Sequence, residues 1–108
     1  MNDLIFKIKA DFLKALASPA RLQIIELLKN KELPVGAVAR KLGMEQSGLS
    51  KNLAILKQAG ILISRQQKAA IYYTVADTQI FNVLRPIAEI LRRKLNESRK
   101  VLSQLGRK

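Results

Sequence analysis

Apolar residues recur along this chain at steps of three and four, interrupted once by a strand-like stretch. From Pro34, the positions Val35, Val38, Ala39 and Leu42 line one face of a short helix, while Arg40 and Lys41 stay in solvent. Gly43, with no Cβ to clash at positive φ, suits a helix end followed by a tight turn. The pattern resumes at Gln46 with Leu49, Leu53 and Leu56 inward, whereas Gln46, Ser47, Ser50, Lys51 and Lys57 fall largely on the other side. Gly60 is placed to end this second helix as its C′ residue. Two helices joined by a short glycine-containing turn make a helix-turn-helix, whose second helix can enter a major groove.

Two helices are predicted ahead of this unit. Asn2 can cap the first, along which Leu4, Ile5, Ile8, Phe12 and Leu16 trace an apolar stripe. Ser18 and Pro19 supply an N-cap and an N1 proline for the second, with Leu22, Ile25 and Leu28 inward and an end near Asn30. Residues 30–33 read as a polar link, and Pro34 can occupy the first turn of the next helix.

After Gly60 the period shortens. Residues 61–66 and 70–75, rich in β-branched and aromatic side chains, read as the two strands of a hairpin. Its tip, Gln67-Lys68-Ala69, lacks the glycine of a tight two-residue turn, so a looser loop is expected. A hairpin directly after a recognition helix is a wing, able to follow the sugar-phosphate backbone or dip toward the minor groove. Asp77 can cap a last helix in which Ile80, Leu84, Ile87, Leu91, Leu95, Ser98, Leu102 and Leu105 form a long seam. Pro86 inside it removes one N–H and crowds the Asn82 carbonyl, which predicts a kink or restart near Arg85. The expected fold class is mainly α with a small β-hairpin: a winged helix-turn-helix of four helices, two strands and a fifth helix, in one domain over 1–108. The first and last helices carry more apolar surface than such a domain covers alone, which predicts a homodimer through them.

Charge then narrows the partner. The 108 residues hold 20 Lys+Arg against 8 Asp+Glu, a formal net charge of +12, pointing to a polyanion, with double-stranded DNA ahead of an anionic membrane surface. From Lys29 to Lys68 eight basic residues face only Glu32 and Glu45, so the charge is concentrated where the helix-turn-helix lies. Gln46 can pair bidentately with adenine, Ser47 and Ser50 can bond base edges or phosphates, and Lys51 can reach guanine or a phosphate. Arg65 and Lys68 are the basic groups of the hairpin. An ordinary surface helix of a bundle would show the same two-helix pattern, and a hairpin covers the core in either case. Arg92, Arg93, Lys94, Arg99 and Lys100 read as a solvated helix face.

Cysteine and histidine are both absent, which removes disulfides, thiolate chemistry, histidine-dependent acid-base catalysis and the usual zinc or copper ligands. No cofactor is expected. No apolar run approaches a membrane span and no signal-type segment opens the chain, so a cytoplasmic protein without membrane attachment is expected. Acids are scattered singly and no phosphate-cradling glycine loop is present, so enzyme function is not expected.

The order helix, helix, helix-turn-helix, hairpin, helix, together with local motifs, resembles the ArsR/SmtB family of small bacterial winged-helix repressors. Leu16-Ala17-Ser18-Pro19-Ala20-Arg21-Leu22 is similar to the family's D/S-P-x-R-L segment at the start of the second helix. The stretch from Leu42-Gly43 through Gln46-Ser47 and Ser50-Lys51-Asn52-Leu53 to Ala59-Gly60-Ile61 is similar to its recognition-helix signature, and Tyr72-Tyr73 to the strand closing the wing. The resemblance implies a homodimer through the first and last helices that blocks promoters until an inducer binds. By position it implies Gln46, Ser47, Ser50 and Lys51 as DNA-reading residues, with Arg65 and Lys68 in the wing. Asn52 stands where the family commonly has histidine, and is carried as a further candidate contact. Glu45 replaces the usual serine cap, and an acid there suits the helix dipole. Pro34, Val35 and Gly36 occupy the positions of the arsenic-sensing C-V-C motif, and the zinc-sensing histidines have no counterpart. The implied signal is therefore a small organic molecule, a protein partner, or nothing. The competing expectation is a winged-helix module that acts mainly through protein partners or coats DNA without sequence preference.

Overall fold

The computed structural model describes residues 2–106. Its elements are α1 (Asp3–Leu16), α2 (Pro19–Leu27), β1 (Leu33–Pro34), α3 (Val35–Leu42), α4 (Gln46–Gln58), β2 (Leu62–Gln67), β3 (Ala70–Val75) and α5 (Ile80–Leu105). They divide after Asp77 into two compact units, the first holding α1–α4 and the sheet, the second holding α5.

Caps set the helix starts. Asn2 Oδ1 accepts from the Leu4 N–H at 3.0 Å, and Ser18 Oγ from the Arg21 N–H at 3.3 Å, each satisfying a donor that the first helical turn leaves without a partner. Glycines set two of the ends. Gly43 at φ 64° and Gly60 at φ 80° turn the chain out of α3 and α4, and the following N–H groups close back, Met44 onto Ala39 O and Ile61 onto Leu56 O. Both closures satisfy carbonyls that the last turn strands. The α3–α4 pair with its three-residue turn is thus built by local geometry.

Packing of the first unit rests on Ile24, Ile25, Leu28, Val38, Leu49, Leu53, Leu56 and Leu62, all essentially inaccessible to water. Each such side chain contributes roughly 1.5–3 kcal/mol relative to exposure. The inward face of α2 differs from the expected one: Ile24 is buried and Leu22 is 39% exposed. At about 100° per residue, Ile24, Ile25 and Leu28 cluster on one side of the helix and Leu22 falls outside that arc.

The sheet has a third strand that the pattern does not announce. Leu33 and Pro34 pair antiparallel with Tyr73 and Tyr72, giving the order β1-β3-β2. Residues 30–33 are therefore not simply a polar link, and Pro34 precedes α3 as its extended N-cap, at ψ 161°, rather than standing inside its first turn. A proline is tolerated there because β1 is an edge strand. The hairpin register runs from Leu62↔Val75 to Gln67↔Ala70, leaving a tight two-residue turn, Lys68-Ala69, in place of the expected loose loop. Lys68 adopts φ 57° and so takes the left-handed position that glycine usually fills.

In the second unit, α5 begins at Ile80, with Gln79 rather than the expected Asp77 at its N-cap position. At the entry the Phe81 and Asn82 N–H groups bond to the Thr78 and Gln79 carbonyls. The helix runs without a restart through Pro86. Ile87, Ile90, Leu91, Leu95, Leu102 and Leu105 are all exposed along it.

Candidate nucleic-acid interface

The buried side of α4 fixes what its other side offers. With Leu49, Leu53 and Leu56 inward, Gln46, Ser47, Ser50 and Lys51 lie exposed on one face. Spacing of one, four and five residues keeps these four side chains within one broad arc of the helix. Glu45 sits at the N-cap position, but its side chain makes no capping hydrogen bond, so the expected cap is not formed.

Asn52 does not belong to that face. It is half-buried, and its Oδ1 accepts from Arg21 Nη1 at 3.0 Å. The same guanidinium donates from Nε to Ala15 O at 2.7 Å and from Nη2 to Lys14 O at 3.2 Å. Those carbonyls belong to the last turn of α1, where the negative end of the helix dipole favours a cation; Lys14 O also accepts the Ala17 N–H at 3.1 Å. Arg21 therefore ties the end of α1 to the recognition helix, and Asn52 is its handle on α4. The sequence placed Arg21 inside a motif without assigning it a role, because its acceptors are visible only once the chain has folded.

Arg65 is likewise engaged within the protein. Its Nε and Nη2 donate to the two carboxylate oxygens of Glu32 at 2.8 and 2.6 Å, its Nη1 donates to Gln67 Oε1 at 2.7 Å, and it lies 5.2 Å from the Tyr72 ring centroid. Hydrogen bonding from Arg65 holds the Glu32 carboxyl below its ordinary value, and the same bond raises the Arg65 guanidinium. Glu32 was missed by sequence reasoning; the signal was an acid standing in a strongly basic segment. Lys68, exposed at the tip of the hairpin, presents its charge outward. Of the seven candidates, the structure brings Gln46, Ser47, Ser50 and Lys51 together, sets Lys68 on the wing, and gives Asn52 and Arg65 partners inside the chain.

Among the described residues, no three or more acids gather as a metal site, and no helix is long and apolar enough to cross a membrane. A polar helix face beside a basic hairpin defines a winged helix-turn-helix protein. Comparison with known proteins narrows this further. A helix-turn-helix domain family model matches residues 16–65. The HTH-type transcriptional regulator Rv0081 of Mycobacterium tuberculosis is 36% identical over 102 residues, 94% of this chain and 90% of that protein. Its crystal structure superposes with a TM-score of 0.77 over 86% of this chain and 94% of that one. The solution structure of Mb0332 from Mycobacterium bovis, described as a homodimeric winged helix-turn-helix DNA-binding domain of a possible ArsR-family regulator, is 29% identical with a TM-score of 0.77, covering 88% of each chain. A Synechocystis protein named transcriptional repressor SmtB homolog is 33% identical over 82 residues, 76% of this chain and 62% of its own length. The chain belongs to the ArsR/SmtB family of winged helix-turn-helix transcriptional regulators.

Proposed function

We propose that this protein is a homodimeric repressor that binds an inverted-repeat operator in double-stranded DNA in the cytoplasm. The observation that carries the reading is the exposed row Gln46, Ser47, Ser50 and Lys51, set opposite three buried leucines on α4. In each copy these side chains reach base edges and phosphates in one major groove, and Lys68 follows the backbone from the wing. Asn52 and Arg65 act as positioning residues, the first through Arg21 and the second through Glu32. Pairing through α1 and α5 covers Leu4, Ile5, Ile8 and Phe12 of α1 and the exposed seam of α5. The homodimeric Mb0332 structure and the repressor among the relatives support the assembly and the direction of regulation.

Selection of duplexes from a random pool by the full chain tests the reading. The expected product is a palindrome whose half-sites lie about one helical turn apart, roughly 34 to 36 Å. Ser50→Ala and Lys51→Ala should weaken binding to that sequence while sedimentation still shows a dimer. An unenriched pool that binds as tightly as any selected duplex would instead favour coating of DNA without sequence preference.

A further inference from the structure

An open groove of about 480 Å³ lies between α3, α4 and the turn and first residues of β3 in the wing, lined in part by Pro34, Val35, Arg40, Ser50, Ile71 and Tyr73. Arg40 folds back along α3: its Nη1 lies 3.5 Å from the point where a Cβ on Gly36 would stand, and Gly36 also lines the groove. The first unit holds three arginines, of which Arg21 and Arg65 are each fully engaged by protein acceptors. Arg40 has no hydrogen-bond or ion-pair partner among the described residues. Its charge is therefore unspent, in a groove that also receives a hydroxyl from the recognition helix.

We infer that this groove seats the sugar-phosphate strand bordering the major groove that α4 enters, with Arg40 on a backbone phosphate. The inference rests on the operator-binding reading and adds to it a site on α3. Three features select this occupant. The groove is continuous with the α4 face through Ser50, so a strand beside α4 runs past it. Its chemistry matches: a guanidinium for phosphate oxygens, apolar walls from Val35 and Ile71 for deoxyribose, and a serine hydroxyl for the same strand. In helix-turn-helix docking the first helix of the pair crosses the backbone, which is where Arg40 stands.

The test uses the full chain in fluorescence-anisotropy titrations at several salt concentrations, on the selected operator and on a scrambled duplex. A phosphate contact contributes about 0.9 to the slope of log K against log salt, so Arg40→Ala should flatten the slope by about 1.8 per dimer on both duplexes. The ratio of operator to scrambled affinity should stay as in wild type, and Arg40→Lys, which keeps the charge, should retain the slope. Replacing linkages one at a time with neutral methylphosphonate should reveal one position per half-site that weakens wild type and leaves Arg40→Ala unaffected. An unchanged slope in a normally folded Arg40→Ala protein overturns the inference, as does loss of operator preference with the slope intact, which would make Arg40 a base reader. If no operator can be selected, the operator reading fails, whereas the slope on the scrambled duplex still decides the role of Arg40.

Discussion

Arg21 and Asn52 stand 31 positions apart in the chain, yet Arg21 Nη1 donates a 3.0 Å hydrogen bond to Asn52 Oδ1. The same side chain closes the last carbonyls of α1, so one guanidinium joins the end of the first helix to the middle of the recognition helix. A residue engaged in this way anchors α4 from within the protein and stands apart from the exposed row Gln46, Ser47, Ser50 and Lys51.

Loss of this bond should appear as instability before it appears as altered recognition. Hydrogen bonds to charged groups contribute about 1.5–3 kcal/mol, and part of each is recovered by water at a half-buried site. Asn52→Ala should therefore cost about 1 kcal/mol, and Arg21→Ala, which also strands the Ala15 carbonyl while Lys14 O keeps the Ala17 N–H, roughly 1–3 kcal/mol. Urea titrations measure both. The salt slope of DNA binding should be unchanged in Asn52→Ala; a flatter slope would return Asn52 to the contact surface.

Glu32 and Arg65 give the protein an acid-sensitive joint. Because pairing lowers the folded-state pKa of Glu32 from its ordinary 4.5, its contribution is complete above that value and is lost as pH falls through the depressed one. Asp11, lowered from its ordinary 3.8 by its hydrogen bond and charge interaction with Lys7, contributes fully above that value and is lost at still lower pH. Melting temperature should thus lack a Glu32 contribution to its pH dependence from neutrality down to about pH 5, and show one below it. Glu32→Gln should remove part of the acid-side loss, and adding Asp11→Asn should remove more. Carboxyl carbon chemical shifts provide a direct reading, with Glu32 returning to the ordinary range in Arg65→Ala. A wild-type Glu32 that already titrates there would contradict the pairing.

The two basic residues of the wing should behave differently toward DNA. Arg65 is committed to Glu32, so Arg65→Ala should leave the salt slope unchanged. Lys68 is exposed at the turn, and Lys68→Gly should flatten the slope by about 1.8 per dimer. Glycine is the better replacement than alanine because Lys68 holds φ 57°, so the hairpin is relieved of strain as the charge is removed. Equal slopes for wild type and Lys68→Gly would take the wing off the phosphate backbone.

The turn before the recognition helix should be sensitive to backbone conformation alone. A Cβ on Gly43 would meet no atom within 4 Å, so the cost of Gly43→Ala comes from its φ of 64°. That cost should be about 1–2 kcal/mol, and Gly43→Asn should recover part of it, since asparagine tolerates the left-handed region. Leu53→Ala, by contrast, opens the core and should cost about 2–5 kcal/mol. Denaturant midpoints for the three variants check the order.

Most helices were legible because their signals are local. Apolar steps of three and four placed α1 through α5, Asn2 and Ser18 marked two starts, and Gly43 and Gly60 marked two ends, each through its own backbone or that of a near neighbour. The exposed row on α4 followed from the same periodicity, since placing Leu49, Leu53 and Leu56 inward leaves Gln46, Ser47, Ser50 and Lys51 outward. Periodicity was less reliable where the helix is short: on α2 it favoured Leu22 over Ile24, and only packing chose between neighbouring arcs.

What the sequence by itself determined is the order of the elements, the location of the basic polar helix, and a charge suited to a polyanion. What only the tertiary structure decided is which of the polar residues the fold has already used. Asn52 bonds to Arg21, Arg65 to Glu32, and the two residues of β1 to Tyr72 and Tyr73, all across separations of more than thirty positions. Such pairings carry no periodic signature, because hydrogen bonds and ion pairs depend on distances of about 3 Å that exist only after the apolar core has brought remote segments together.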